Sequence, residues 1–237
     1  EAGFITESNF GDLKKNAWQR CSRTDKGVHA AYNGINCKLN ILDSFVDLSP
    51  QELEEEKKKD DRKLMKSKLR RDDIIKLINK FLTEDIRCYG FRIVTKNFDI
   101  KLNAASRRYE YLCPLKMFYP YNRETYGNNY ATDEARNAQI VETLKTYVKK
   151  FVGTRNYHNY TKKGNPKEKS SLRYILSMEV DRIPQVELNK ISGGEVKNQY
   201  VKFKLHGQSF MYHQIRKMVG SMIQTFQLGM DESFFDN

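Results

Sequence analysis

Three clusters of residues carry side chains able to do chemistry. In the first, Arg23-Thr24-Asp25-Lys26-Gly27-Val28-His29, one carboxylate stands between cations and before a glycine. That setting makes Asp25 a candidate nucleophile or base, although an ordinary Asx turn uses the same residue types. The second is Ser106-Arg107-Arg108-Tyr109-Glu110-Tyr111. In an extended chain, alternation puts Tyr109 and Tyr111 on one face and Arg108 and Glu110 on the other. Tyrosines in such a row can stack on bases while arginines meet phosphates; two core tyrosines on a sheet are the plainer reading. The third cluster runs from Gly207 to Met218, with Phe210, Met211, Ile215 and Met218, and beyond them Val219 and Met222, giving an apolar helix. Arg216 on that helix is costly to bury unpaired, so a carboxylate partner is expected, Asp25 being one candidate; a snorkelling surface arginine is the alternative. His206 and His213 lack acidic or cysteine companions and read as structural residues, so no metal site is expected.

The elements that must hold these clusters follow from periodicity and breakers. A helical pattern covers 5–18, weakened by Gly11, and the loop bearing Asp25 leads into a strand at 34–42. Residues 49–71 are a charged block, read as a solvated helical insertion or a partly disordered arm. An amphipathic helix is expected over 72–82 and a longer one over 133–151. Strand-like pieces lie at 86–94, 97–104 and 107–115. A lysine-rich loop at 162–170 precedes a strand at 171–183, and Ser192-Gly193-Gly194 suggests a turn into a strand at 200–207. A buried helix follows over 209–229. Strands and helices mix without strict alternation, so the class is α+β with a largely antiparallel mixed sheet flanked by helices.

Composition narrows the partner. Among 237 residues, 42 Lys and Arg against 30 Asp and Glu give a net charge of +12. Such an excess suits a polyanion, because each phosphate contact releases counterions. Cys21, Cys37, Cys88 and Cys113 show no CxxC or Cys/His spacing, which points to reduced thiols rather than a disulfide or metal framework. No apolar run approaches the roughly 20 residues a membrane span needs. The first residues lack the pattern of a signal peptide, and the chain reads as soluble and intracellular. No P-loop or dinucleotide fingerprint is present.

Together the clusters resemble one family. CSRTDKGVHAA is similar to the RTD-x-GVHA signature of TruA-type tRNA pseudouridine synthases, and NFDIKLNAASRRYEYLCP resembles that family's second motif. HGQSFMYHQIRKMVG resembles its third, in the wording of the eukaryotic pseudouridine synthase 1 branch. FVGTRNYHNYTKK and SSLRYI also look like family segments. The likeness runs from about residue 12 to 224, interrupted at 49–71, and the first and third motifs are the specific ones. It implies two ferredoxin-like halves, 1–120 with the charged insertion and 121–237, forming a central basic cleft. It implies catalytic roles for Asp25 as nucleophile, Tyr109 as the residue stacked on the target base, and Arg216 as the partner of the aspartate. Arg23, Lys26, His29, Arg107, Arg108, Lys162 and Lys163 become the expected RNA contacts. The substrate implied is tRNA, extended to other structured RNA, with no cofactor, no metal and no membrane. The nucleus is the expected compartment, with mitochondrion and cytoplasm as alternatives. Two other readings stay open: a non-catalytic RNA-binding module, and the sister synthase acting elsewhere on the anticodon arm. The family's opening strand is expected before Glu1 and its closing strands after Asn237. Arg155-Asn156-Tyr157 stands where many relatives carry a histidine and a phenylalanine.

Overall fold

The computed structural model describes residues 1–59, 62–120, 133–162, 164–187 and 197–236, without the side chains at 184–187 and 197–198. Internal contacts divide the chain into Glu1–Ala104 and Ala105–Asn237, and each body is described by itself.

In the second body, alternation builds the sheet. Four strands, β3 (Arg107–Pro114), β4 (Gly153–Asn156), β5 (Leu172–Glu187) and β6 (Lys197–Gly207), lie in the order β3-β6-β5-β4. Every neighbouring pair is antiparallel. Along β6, Val201, Phe203 and Leu205 are buried while Lys202, Lys204 and His206 are only half-buried, the period-2 signature of a sheet with one dry face. Register shifts interrupt the β5–β6 ladder between Ile175 and Ser177 and between Ile183 and Val186.

The dry face is covered by two helices. Helix α4 (Asp133–Lys149) contributes Ile140, Val141, Leu144, Tyr147 and Val148 to one core cluster with the strands. Helix α5 (Gln214–Gln227) adds Met218, Val219, Met222 and Phe226. These positions recur every three or four residues, as a helix with one apolar stripe requires. Arg182 of β5 forks onto both carboxylate oxygens of Glu134 in the first turn of α4, tying that helix end to the sheet. On the opposite face, Lys202 pairs with Glu110 and Lys204 with Asp181.

The first body is poorer in buried apolar side chains: among the described residues only Phe4, Val46 and Ile74 are buried hydrophobics there. Phe4 packs edge-on against Phe45 at 5.5 Å. Strands β1 (Gln19–Arg20) and β2 (Ile35–Asn36) form a two-residue antiparallel ribbon. Helices α1 (Pro50–Lys57), α2 (Lys63–Ser67) and α3 (Arg71–Lys80) follow.

The α+β class stands as expected, and so do the helices near 72–82 and 133–151 and the strands near 107–115, 171–183 and 200–207. The buried helix expected over 209–229 begins only at Gln214 and ends at Gln227, and four further local expectations are corrected. Residues 5–18 form a 3-10 turn at Glu7–Asn9 and further turns, not a helix; Gly11 takes φ +80, outside the helical region. The strand expected at 34–42 shrinks to Ile35–Asn36, and neither 86–94 nor 97–104 is a strand. Their apolar residues Ile86, Ile93, Val94 and Leu102 are exposed, so no buried face selects an extended register there. Residues 192–194, the expected hairpin turn, lie outside the described residues.

Candidate active site

The Asp25 loop is set by the ribbon beneath it. Cys21 N–H donates to Gly34 O at 2.8 Å, and Ser22 and Asn33 exchange side-chain contacts across the same neck. Ile100 closes on Gly34 so tightly that a Cβ there would lie 2.7 Å from Ile100 Cδ1. At the tip, Val28 N–H donates to Asp25 O at 3.0 Å and Gly27 takes φ +77, the left-handed position of a type II turn that favours glycine. Arg23, Asp25, Lys26 and His29 are all exposed on this loop. A carboxylate is thus displayed among cations on a turn whose shape its own sequence dictates.

The second and third motifs meet in the other body. Arg107 pairs in register with Gly207, and its Nη1 donates to Gln208 O at 3.2 Å. Tyr109 is half-buried and meets Phe210 edge-to-face at 5.3 Å. Gly207 permits this fold-over, since a Cβ there would sit 2.8 Å from Phe210 Cζ. Arg108 is exposed on the opposite face, across from His206, whose Nε2 lies 2.9 Å from Ser106 Oγ. Tyr109 and Tyr111 do share one face, and both pack against the core.

Arg216 occupies the first turn of α5 and is exposed. Of the two settings weighed for it, the exposed one is observed: the apolar stripe of α5 runs through Met218, Val219 and Met222, and position 216 falls off it. The start of α5 is held by His213, read above as structural, and by Gln214, Lys217 and Thr161, which sequence reasoning passed over. His213 precedes the helix at φ +61 with its ring stacked 3.7 Å from that of Tyr212. Buried Gln214, the first residue of the helix, accepts from Met211 N–H through Oε1 at 2.8 Å, which ties the incoming chain to the helix start, while the N-cap His213 makes no side-chain capping bond. Lys217 Nζ donates to Thr161 O at 2.6 Å and Asn159 O at 3.3 Å, and Thr161 Oγ1 donates to Tyr212 O at 3.0 Å. A buried polar Gln214 inside an apolar helix was the available signal for this anchoring.

Lys162 is exposed, whereas Lys163 lies outside the described residues. Tyr157, at the end of β4, is buried and donates to Phe151 O at 2.5 Å, and burial pushes its hydroxyl well above the ordinary tyrosine value. Among the described residues no group of His, Cys, Asp and Glu could hold a metal ion, and no helix is long and apolar enough to cross a membrane. Asp25 belongs to Glu1–Ala104, and Tyr109 and Arg216 belong to Ala105–Asn237.

Residues 147–235 match the family model described as tRNA pseudouridine synthase. The chain is 32% identical over 223 residues to the mouse protein named pseudouridylate synthase 1 homolog, covering 94% of this chain and 43% of that protein. The human protein of the same name is 31% identical, with 94% and 42% covered. The Saccharomyces cerevisiae protein named tRNA pseudouridine synthase 1 is 26% identical over 291 residues, with 92% and 47% covered. The chain therefore spans less than half the length of these relatives.

Proposed function

We propose, for a chain that belongs to the TruA-type family of tRNA pseudouridine synthases, the isomerisation of uridine to pseudouridine in tRNA and in other structured RNA. The observation that carries this reading is the exposed carboxylate of Asp25, displayed on a glycine turn between Arg23 and Lys26. A chain that only bound RNA would gain nothing from placing an anion among its phosphate-binding cations.

The reaction breaks the bond between ribose C1′ and uracil N1, turns the base, and joins C1′ to C5. The C5 proton leaves and N1 gains one, so atoms and electrons balance without oxidant, ATP or metal. A carboxylate nucleophile splits the exchange into two easier steps. Asp25 is assigned that role. Arg216 supplies the guanidinium that pairs with the carboxylate and aims it. The Tyr109 ring is assigned to stack on the target base and its hydroxyl to help remove the C5 proton. A base inside a stack cannot meet a carboxylate, so the nucleotide is flipped out at a cost of a few kcal/mol, and Arg23 fills the space it leaves. Lys26, His29, Arg107, Arg108, Lys162 and Lys163 hold the RNA by backbone and shape.

The test is tritium release from carbon-5 of uridine-labelled tRNA, using the full-length protein. Asp25→Ala is expected to abolish release while RNA affinity stays within a few-fold of wild type. Full turnover by Asp25→Ala would overturn the assignment.

A further inference from the structure

The segment from Gly153 to Arg173 carries six cations against the single acid Glu168, and none of its residues has a role in the proposed chemistry beyond Lys162 and Lys163. Two of those cations face each other. Arg155 on β4 and Arg173 on β5 are directly opposite partners in the antiparallel ladder. Such partners share a face of the sheet with their Cβ atoms about 5 Å apart, and like charges in that register are destabilising. Among the described residues neither arginine takes part in an ion pair with an acid. Arg173 is the more enclosed of the two. Its Nη1 donates to Leu172 O at 2.7 Å, but its Nε is buried without a hydrogen-bond partner. Burial also lowers its pKa from the ordinary arginine value, a penalty that an anion beside it would reverse.

The surroundings are anchored rather than loose. Asn156 Nδ2 donates to Pro166 O at 2.8 Å, Ser171 Oγ donates to Asn165 O at 2.8 Å, and Tyr157 N–H donates to Ser171 O at 2.8 Å. These bonds fasten the lysine-rich loop to the end of β4 beside Arg155, with Lys167 and Lys169 exposed on it.

We propose that Arg155 and Arg173 form a two-guanidinium clamp for one phosphate group, supplied by the RNA backbone. A phosphate between the two forks turns a repulsive cross-strand pair into two charge-assisted contacts. The clamp deepens the reading above, since its ligand is the RNA of that reading.

The experiment compares full-length wild type, Arg155→Ala and Arg173→Lys by fluorescence anisotropy on a tRNA transcript across a series of salt concentrations. Thermal unfolding without RNA is measured in parallel, with inorganic phosphate titrated against chloride at matched ionic strength. Arg155→Ala is expected to weaken RNA binding several-fold and to reduce the salt slope by about 1, while unfolding at a temperature equal to or above wild type because the repulsion is gone. Arg173→Lys keeps the charge but loses the fork, so affinity falls while the slope stays near that of wild type. If phosphate alone raises the unfolding temperature of wild type and not of Arg155→Ala, with an unchanged RNA slope, the clamp serves free phosphate and the backbone assignment fails. An unchanged slope with no response to phosphate overturns the clamp and leaves the uridine chemistry standing. Loss of tritium release in wild type, with the phosphate response intact, overturns the proposed function and leaves the anion site.

Discussion

Asp25, Tyr109 and Arg216 differ in how much each owes to its neighbours in sequence. Asp25 is presented by a turn that Gly27 makes possible at φ +77, so its exposure follows from the adjacent residue. Arg216 instead depends on the angle at which α5 begins, which His213, Gln214 and Lys217 hold. Under the proposed mechanism, Arg216→Ala lowers the single-turnover rate on the order of 10²-fold, the scale of removing a preorganised charge partner, with RNA affinity changed much less. Arg216→Lys restores little if a planar fork is needed, and equal rates for lysine and arginine would argue against pairing with the carboxylate. The thiols make a separate case. Burial pushes Cys113 up to about 11 and raises Cys37 as well, and the thiolate is the reactive form. Alkylation of the native protein near pH 8, followed by peptide mass spectrometry, should therefore modify Cys113 last.

Single elements show where local signals suffice. Of the two readings of the block at 49–71, a solvated helical insertion and a partly disordered arm, its described residues bear out the first: they form two short helices, and Ser49 and Glu52 close a capping box around Pro50 at the first helical position. The two helices are joined by buried Glu56, which accepts from Leu64 N–H at 2.8 Å and pairs with Lys59 at 2.9 Å. The bond from Lys59, followed by backbone donation from Leu64 and Met65, holds the Glu56 carboxyl below its usual value against the opposing effect of burial. A carboxyl lowered in the folded state adds stability above its unfolded value and loses it as pH falls through the folded one. Acidification below the usual glutamate value of about 4.3 should therefore loosen α1 and α2, and Glu56→Gln should lose that acid step in helical circular dichroism. In the second body the test is packing. Leu144 of α4 is fully buried, and Leu144→Ala is expected to cost about 2–5 kcal/mol in denaturant unfolding.

The whole molecule distributes its core unevenly. The contiguous apolar cluster lies within Ala105–Asn237, between α4, α5 and strands β3, β5 and β6. Glu1–Ala104 relies more on turns and side-chain bonds, such as Asn16 Nδ2 donating to Asn9 O and Asp12 O. Opening free energies follow buried contacts and protected backbone bonds. Amides of β5, β6, α4 and α5 should exchange slowest with deuterated water, and those of residues 21–34 and 83–104 fastest. Comparable protection of the loop around Asp25 would contradict this distribution.

How much was legible depends on whether the signal was local. The strand at Arg107–Pro114, the two long helices and the Asp25 turn were readable, because alternation, a 3.6-residue apolar stripe and a glycine before Val28 act within a few neighbours. The absence of strands at 86–94 and 97–104 was not readable: apolar β-branched residues favour extended chain only where a partner surface buries them, and Ile93 and Val94 are exposed. The exposure of Arg216, the grip of Lys217 on Thr161 and the confrontation of Arg155 with Arg173 likewise belong to tertiary structure alone. Each joins residues brought side by side by strand register or helix docking, and those long-range pairings leave no trace in local composition or spacing.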